Sequence, residues 1–178
     1  MWAKHKDTGF TIVELLIVIV VIAVLAAISI VAYNGIQQRG RDSQRKSDIT
    51  AITKALELYY IDNGKYPNGG TLGSTTINSA WSSTSDSSWA NLQTILSTYI
   101  SRLPADPIST QGANPTANAA TYNYAYYGNT STFCGSTAGQ MYIIIYRLEA
   151  GPQEDTTKGV CSSNVLYYAG SSNYRVIR

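Results

Sequence analysis

The chain has 178 residues, of which 44% are hydrophobic and only 13% are charged, and its formal net charge is +2. The charged share is about half of that in ordinary soluble domains, and Ser, Thr, Asn, Gly and Tyr take its place. So weak a positive charge argues against electrostatic capture of nucleic acid, and no specific nucleic-acid partner is expected. The length allows one head domain once a separate apolar segment is set aside.

That apolar segment lies near the N-terminus and runs from Phe10 to Ala32 as FTIVELLIVIVVIAVLAAISIVA. A helix of this length, at about 1.5 Å per residue, crosses a hydrocarbon core of roughly 30 Å. A short polar stretch over residues 1–9 precedes it, and no small-residue cleavage site of the A-x-A kind follows. An ordinary secretory signal therefore fits poorly, and the sequence predicts a membrane span over 10–32.

Glu14 is the single charged residue within this segment. An ionised carboxylate inside a bilayer costs about 2.5 kcal/mol or more unless it reaches the interface or a partner. The side chain could reach headgroups from the start of a helix, where the helix dipole tolerates an anion. Alternatively, a cationic partner could compensate it.

The residues around Glu14, KHKDTGFTIVELL from Lys4 to Leu16, strongly resemble the class III signal of type IV prepilins and of the pseudopilins of type II secretion. The resemblance implies that a prepilin peptidase cuts after Gly9 and methylates the new N-terminus, Phe10. It also implies that Glu14 neutralises the N-terminus of a neighbouring subunit during assembly and sets the axial register. Opposite charges that would each be costly to bury alone are tolerable together.

The same resemblance implies a location and a set of partners. The precursor would be anchored in the bacterial inner membrane, with residues 1–9 as a cytoplasmic leader, although the Lys and Arg count on the two sides of the span leaves the orientation open. An inner-membrane assembly platform would then stack identical or related subunits. The product would be an extracellular pilus or a periplasm-spanning filament.

A helical pattern continues beyond the apolar segment. The sequence predicts one helix over 10–62, apolar all round over 10–32 and amphipathic over 33–62, where it should pack against a sheet. Gly35 and Gly40 are predicted points for a bend or local melting. The apolar face of the second half is formed by Ile49, Ile52, Leu56 and Tyr59.

Residues 63–178 are predicted to form the head, with a loop over 63–120 and a sheet over 121–178. Helical spacing of apolar residues predicts a short helix from Trp89 to Ile100 inside the loop. The predicted fold class is α+β, with the long helix packed against a small antiparallel sheet, as in the type IV pilin fold. Runs rich in Tyr, Ile or Val predict strands over 121–127, 141–148, 164–168 and 173–177.

Two head motifs are similar to those of major pseudopilins: YYIDNGKYP, whose Tyr66-Pro67 pair follows the end of the long helix, and LPADP at residues 103–107. The acidic cluster that binds calcium in major pseudopilins has no counterpart, because the acidic residues here are scattered along the sequence. These residues are Asp86, Asp106, Glu149, Glu154 and Asp155.

The two cysteines, Cys134 and Cys161, lack the spacing and the additional ligands of a metal site. A disulfide between them is the favoured interpretation and would place the head in an oxidising compartment. Such a disulfide would be similar to the one that holds the C-terminal loop of pilins. Two free thiols remain the alternative.

No enzyme is predicted, because the only histidine, His5, would leave with the leader, so no Ser-His-Asp or Cys-His pair can form in the mature protein. Nothing in the sequence brings a specific pair of carboxylates together for hydrolysis. No phosphate-binding or EF-hand motif occurs, so no cofactor or metal is expected. The main interpretation is a type IV pilus subunit that serves adhesion, motility or DNA uptake. The alternative is a pseudopilin of a type II secretion system, and a non-polymerising single-span membrane protein with a binding head is less favoured.

Overall fold

The computed structural model describes residues 9–69, 81–109, 121–150 and 173–177, the last of these as backbone. The elements named within these residues are two helices and one sheet, which confirms the predicted α+β class. In chain order they are α1 (Ile12–Asn63), β1 (Trp81–Ser83), α2 (Ser88–Leu96), β2 (Ala125–Gly128), β3 (Tyr142–Tyr146) and β4 (Asn173–Ile177).

Helix α1 begins and ends within two residues of the predicted bounds and is helical through Gly35 and Gly40. It ends where Gly64 adopts a φ of 67° and donates its N–H to the carbonyl of Tyr60 at 2.8 Å. Glycine takes this left-handed conformation without steric cost, which makes it a common residue after a helix. The YYIDNGKYP motif therefore ends the helix as predicted.

The chain divides into two compact units, residues 1–38 and residues 39–178. In the first unit, the large apolar side chains from Phe10 to Ile30 are each at least half exposed. Among the described residues, α1 is the one helix long and apolar enough to cross a membrane. A segment of this length that exposes its apolar side chains all round is suited to lipid or to other apolar helices.

The sheet has the order β1-β2-β3-β4, with every neighbouring pair antiparallel. The predicted loop over 63–120 is wrong where it covers β1, in which Trp81 pairs with Tyr127 of β2. Three residues are too few to show a period-2 pattern, so pairing with β2 decides this strand. The first predicted strand starts at Ala125 rather than at residue 121, whereas β4 has the predicted bounds. The strand predicted over 164–168 lies outside the described residues.

The two faces of the sheet carry separate apolar clusters. One packs against α1 and α2 and confirms the predicted apolar face of the helix, since Ile49, Ile52 and Leu56 are at most 2% exposed. The second cluster covers the opposite face around Ile143 and Ile145. Strand β3, YIIIY, is therefore buried on both faces, which explains its continuous apolar composition. The larger cluster also includes Tyr66, Trp89, Leu92, Leu96, Leu103, Tyr124, Tyr126, Tyr142, Ile144, Tyr146 and Leu148.

Candidate functional site

The predicted assembly residues lie at the start of α1. Gly9 and Phe10 precede the helix, and the Phe10 side chain is 88% exposed. Thr11 is the residue before the first helical position, and its N–H and hydroxyl both donate to Oε2 of Glu14, at 2.8 and 2.7 Å. The N–H of Glu14 donates back to the Thr11 hydroxyl at 3.3 Å.

This reciprocal arrangement is a capping box, in which the side chains of the N-cap residue and of the third helical residue satisfy each other's backbone donors. The Thr-x-x-Glu spacing of Thr11 and Glu14 is a sequence signal for a capping box. Sequence reasoning missed this signal, because it interpreted Glu14 through the resemblance to prepilins. Glu14 thus has a local role within its own chain besides the predicted one between subunits. Its role in register, and cleavage and methylation at Gly9-Phe10, stay predictions.

A second site, which sequence reasoning missed, lies in the head around Arg45. Its side chain is fully buried, and its guanidinium donates to both carboxylate oxygens of Asp106, at 2.7 Å from Nε and 3.1 Å from Nη2. Nη1 donates to Glu149 at 2.6 Å and to Asp42 at 2.9 Å. A buried cation therefore connects α1 to the LPADP turn and to the segment after β3.

Neighbouring groups complete this charge cluster. Arg41 makes a two-pronged ion pair with Glu149, at 2.7 and 2.5 Å. The ring of Tyr122 contacts two guanidinium groups, with its centroid 4.8 Å from Cζ of Arg45 and 5.4 Å from that of Arg147. Tyr122 falls within the strand predicted over 121–127, but it lies before β2 and is a cation–π partner of Arg45 and Arg147.

The ionisation of the cluster follows from these contacts. Hydrogen bonds from Arg41 and Arg45 hold the pKa of Glu149 below its usual range. Burial alone would lower the pKa of Arg45, but its hydrogen bonds to Asp106 and Glu149 outweigh burial and raise it. Burial raises the pKa of Asp48 despite a hydrogen bond from Tyr124. The shifted pKa values of Arg45 and Glu149 therefore both favour the charged forms that pair with each other.

The structure brings together carboxylates that the sequence leaves far apart, because Asp106 and Glu149 are 61 and 104 residues from Arg45. These carboxylates bind guanidinium groups. Among the described residues, no group of three or more His, Cys, Asp or Glu side chains is suited to a metal ion. The one local signal was the pair Asp42 and Arg45, which lie three residues apart on a helix. Cys161 lies outside the described residues, so its pairing with Cys134 stays a prediction.

Two comparisons with known families match separate parts of the chain. Residues 4–30 match the prokaryotic N-terminal methylation motif. Residues 33–135, more than half of the chain, match the model of type II secretion system protein G. The chain belongs to this family. The second match covers Arg45 and Asp106, whereas Cys161 lies beyond it.

Curated relatives of the protein G family support the assignment. The type II secretion system core protein G of Escherichia coli K12 is 36% identical over 112 residues, which are 60% of this chain and 70% of that protein. The core protein G of Aeromonas hydrophila is 30% identical over 104 residues, 58% of this chain and 69% of that protein. No solved structure matches the chain.

Membership of the protein G family favours the pseudopilin alternative over the main interpretation of a type IV pilus subunit. The predicted resemblance to the wider pilin and pseudopilin family is confirmed. The relatives carry the name of a secretion-system core protein and not of an enzyme, which agrees with the non-enzymatic prediction. The methylation motif and the apolar helix are consistent with an inner-membrane precursor.

Proposed function

We propose that this chain is a pseudopilin, a structural subunit that polymerises through the first half of α1 into a filament of a type II secretion apparatus. The match of residues 33–135 to the protein G family carries this proposal. The exposed apolar side chains over residues 10–30 supply the surface for both stages, lipid before assembly and other subunits afterwards. The partners are copies of this chain or related subunits, a prepilin peptidase and an inner-membrane assembly platform.

Deletion of the gene tests this function against a pilus. The expected result is loss of export of the proteins that the apparatus secretes, with surface attachment and twitching motility unchanged. Loss of attachment or motility with intact secretion would instead support a pilus subunit. Re-expression of the full chain should restore export in the deletion strain.

Processing at Gly9-Phe10 is part of the same proposal. The support is the motif match over residues 4–30 and the position of this peptide bond outside the helix. Mass spectrometry of the membrane-extracted protein should find a chain that starts at Phe10 and carries one added methyl group. A chain that retains Met1 in cells with an active peptidase would contradict the polymerising role.

Three variants separate the two roles of Glu14. Thr11→Ala weakens the cap but keeps the carboxylate, Glu14→Gln removes the charge but keeps a side chain that can close a capping box, and Glu14→Ala removes both. If charge neutralisation between subunits governs assembly, both Glu14 variants lose filaments and Thr11→Ala keeps them. Filaments from Glu14→Gln together with none from Thr11→Ala would assign Glu14 to the cap alone. Electron microscopy of cells that overproduce the chain provides the measurement.

A disulfide between Cys134 and Cys161 is also proposed, because the filament would leave the reducing cytoplasm. On the chain-entropy model, a loop of this size gains about 3 to 4 kcal/mol of stability from the bridge. Non-reducing peptide mapping should recover the two cysteines in one linked peptide. Recovery of both as alkylated thiols from unreduced protein would refute the bridge.

A further inference from the structure

A groove of about 490 Å³ opens on the head between α1 and the segment that follows β3. The groove is lined by Arg39, Asp42, Ser43, Lys46, Leu148 and Ala150. Arg39, Ser43 and Lys46 are exposed and lie at spacings of four and three along α1, so they share one face of the helix. Two cations and a hydroxyl group thus border one concave surface.

The carboxylate of Asp42, which also lines the groove, does not neutralise the positive charges of Arg39 and Lys46. Both oxygens of the Asp42 carboxylate are occupied, Oδ1 by the N–H of Glu149 and Oδ2 by the N–H of Ala150, each at 2.8 Å, and Oδ1 also accepts from Arg45. Neither Arg39 nor Lys46 forms an ion pair with any carboxylate in the part of the chain that the structure describes.

Four cations in a short run follow the predicted span, and they divide into two pairs with different surroundings: Arg41 with Arg45, and Arg39 with Lys46. Arg41 and Arg45 bind the carboxylates of the charge cluster, whereas Arg39 and Lys46 are left to face the groove. Apart from the i,i+3 spacing of Asp42 and Arg45, the sequence does not distinguish these four cations. Among the described residues, two of the four cations pair with carboxylates of the head and the other two have no carboxylate partner.

We propose that this groove binds the phosphate of an anionic phospholipid headgroup while the subunit is anchored in the membrane. A guanidinium group matches two phosphate oxygens, an ammonium group adds a point charge, and the Ser43 hydroxyl can donate a hydrogen bond. Juxtamembrane Lys and Arg residues are attracted to anionic lipid surfaces. The volume of the groove leaves room for a headgroup beside the two side chains.

The position in the sequence favours a lipid over other anions. Arg39 follows the end of the predicted span at Ala32 by seven residues, about 10 Å along a helix, and Lys46 follows it by fourteen, about 21 Å. Arg39 is therefore the cation within reach of the headgroup layer, and Lys46 contributes its charge at longer range. The headgroup layer reaches roughly 5 to 7 Å beyond the hydrocarbon core, and a long Arg side chain bridges the remaining distance. Tyr33, which is 61% exposed, belongs to the residue types enriched at membrane interfaces.

The inference rests on membrane anchoring and not on which filament the chain builds, so its test needs no secretion apparatus. The full-length protein is purified in detergent and titrated with phosphatidylglycerol or with phosphatidylcholine, and retained lipids are counted by native mass spectrometry. The variant is Arg39→Gln/Lys46→Gln, and the matched control is Lys54→Gln, which removes an exposed cation of α1 outside the groove.

The wild type should retain phosphatidylglycerol in preference to phosphatidylcholine. Each Lys or Arg near an anionic surface contributes about a fivefold effect that decays with distance, so the double variant should bind phosphatidylglycerol about 5- to 25-fold more weakly. The control should bind like the wild type. Circular dichroism of both variants should match the wild type, because the substituted side chains are exposed.

Four results would each overturn the proposal. The first is that the double variant retains as much phosphatidylglycerol as the wild type. The second is that the Lys54→Gln control loses as much phosphatidylglycerol binding as the double variant, which would show a general charge effect. The third is displacement of the lipid by inorganic phosphate at a lower concentration than that of the lipid, which would assign the groove to free phosphate. The fourth is self-association of the wild type, abolished in the double variant without any change in lipid retention, which would assign it to contact between copies.

Discussion

Replacement of Arg45 by methionine should destabilise the head more than any other loss of a single charge among the described residues. The variant leaves the Asp106 carboxylate, which is fully buried, without its cation, while Glu149 keeps Arg41. Removal of one partner of a buried pair costs about 3 to 5 kcal/mol, and the lower end applies because one carboxylate stays paired. At roughly 3 °C per kcal/mol for a domain of this size, the melting temperature should fall by about 10 °C.

The assay is thermal unfolding of the full-length protein in detergent, followed by near-ultraviolet circular dichroism of its tyrosines. Lys54→Met, an exposed cation on the same helix, is the control and should change the melting temperature by less than 2 °C or so. The double variant Arg45→Met/Asp106→Asn should recover part of the loss, because it leaves no uncompensated charge at Asp106. The reasoning fails if Arg45→Met melts within 2 °C or so of the wild type, or if the double variant shows no coupling.

Acid should weaken the same cluster. The pKa of Glu149 is held below its usual 4.5 by Arg41, so the ion pair contributes fully above that value and is lost as pH falls through the folded-state pKa. The melting temperature of the wild type should therefore fall more steeply below pH 4.5 than that of Glu149→Gln, and parallel curves would contradict this. A glycine pair tests the packing of β2: a Cβ at Gly128 would lie 1.8 Å from the carbonyl oxygen of Pro67, whereas one at Gly40 meets nothing within 4 Å. Gly128→Ala should cost about 1 to 3 kcal/mol, and Gly40→Ala should gain up to about 1 kcal/mol as judged by urea unfolding. Equal effects of the two substitutions would show that the close approach is not maintained in solution.

The side chain of Asn129 has a structural role in the head. Asn129 begins an Asn-Thr-Ser sequence that meets the glycosylation pattern, but it is fully buried. Its amide donates to the carbonyls of Ser131, Ser136 and Thr137 and accepts from the N–H of Met141. This side chain organises the connection between β2 and β3, so its amide nitrogen is not free for attachment of a sugar.

The sequence by itself determined the long helix, its division into two halves and the fold class. A period of 3.6 residues, the glycine after Asn63 and the length of the apolar run are local signals, and local backbone energetics decides such elements. The motif around Gly9, Phe10 and Glu14 was likewise readable because its meaning depends on spacing within one segment. The family match over residues 4–30 agrees with it.

Only the tertiary structure decided which charges meet and how the sheet begins. Arg45 is one of four cations in a short run, and its sequence neighbours do not indicate that Asp106 and Glu149, 61 and 104 residues away, surround it. Nor do they indicate that Arg39 forms no ion pair within the described part of the chain. Strand β1 has only three residues, too few to show an alternating apolar pattern, and it forms because its residues pair with β2. Long-range contacts depend on where turns place distant segments, and a sequence pattern records only its own neighbourhood.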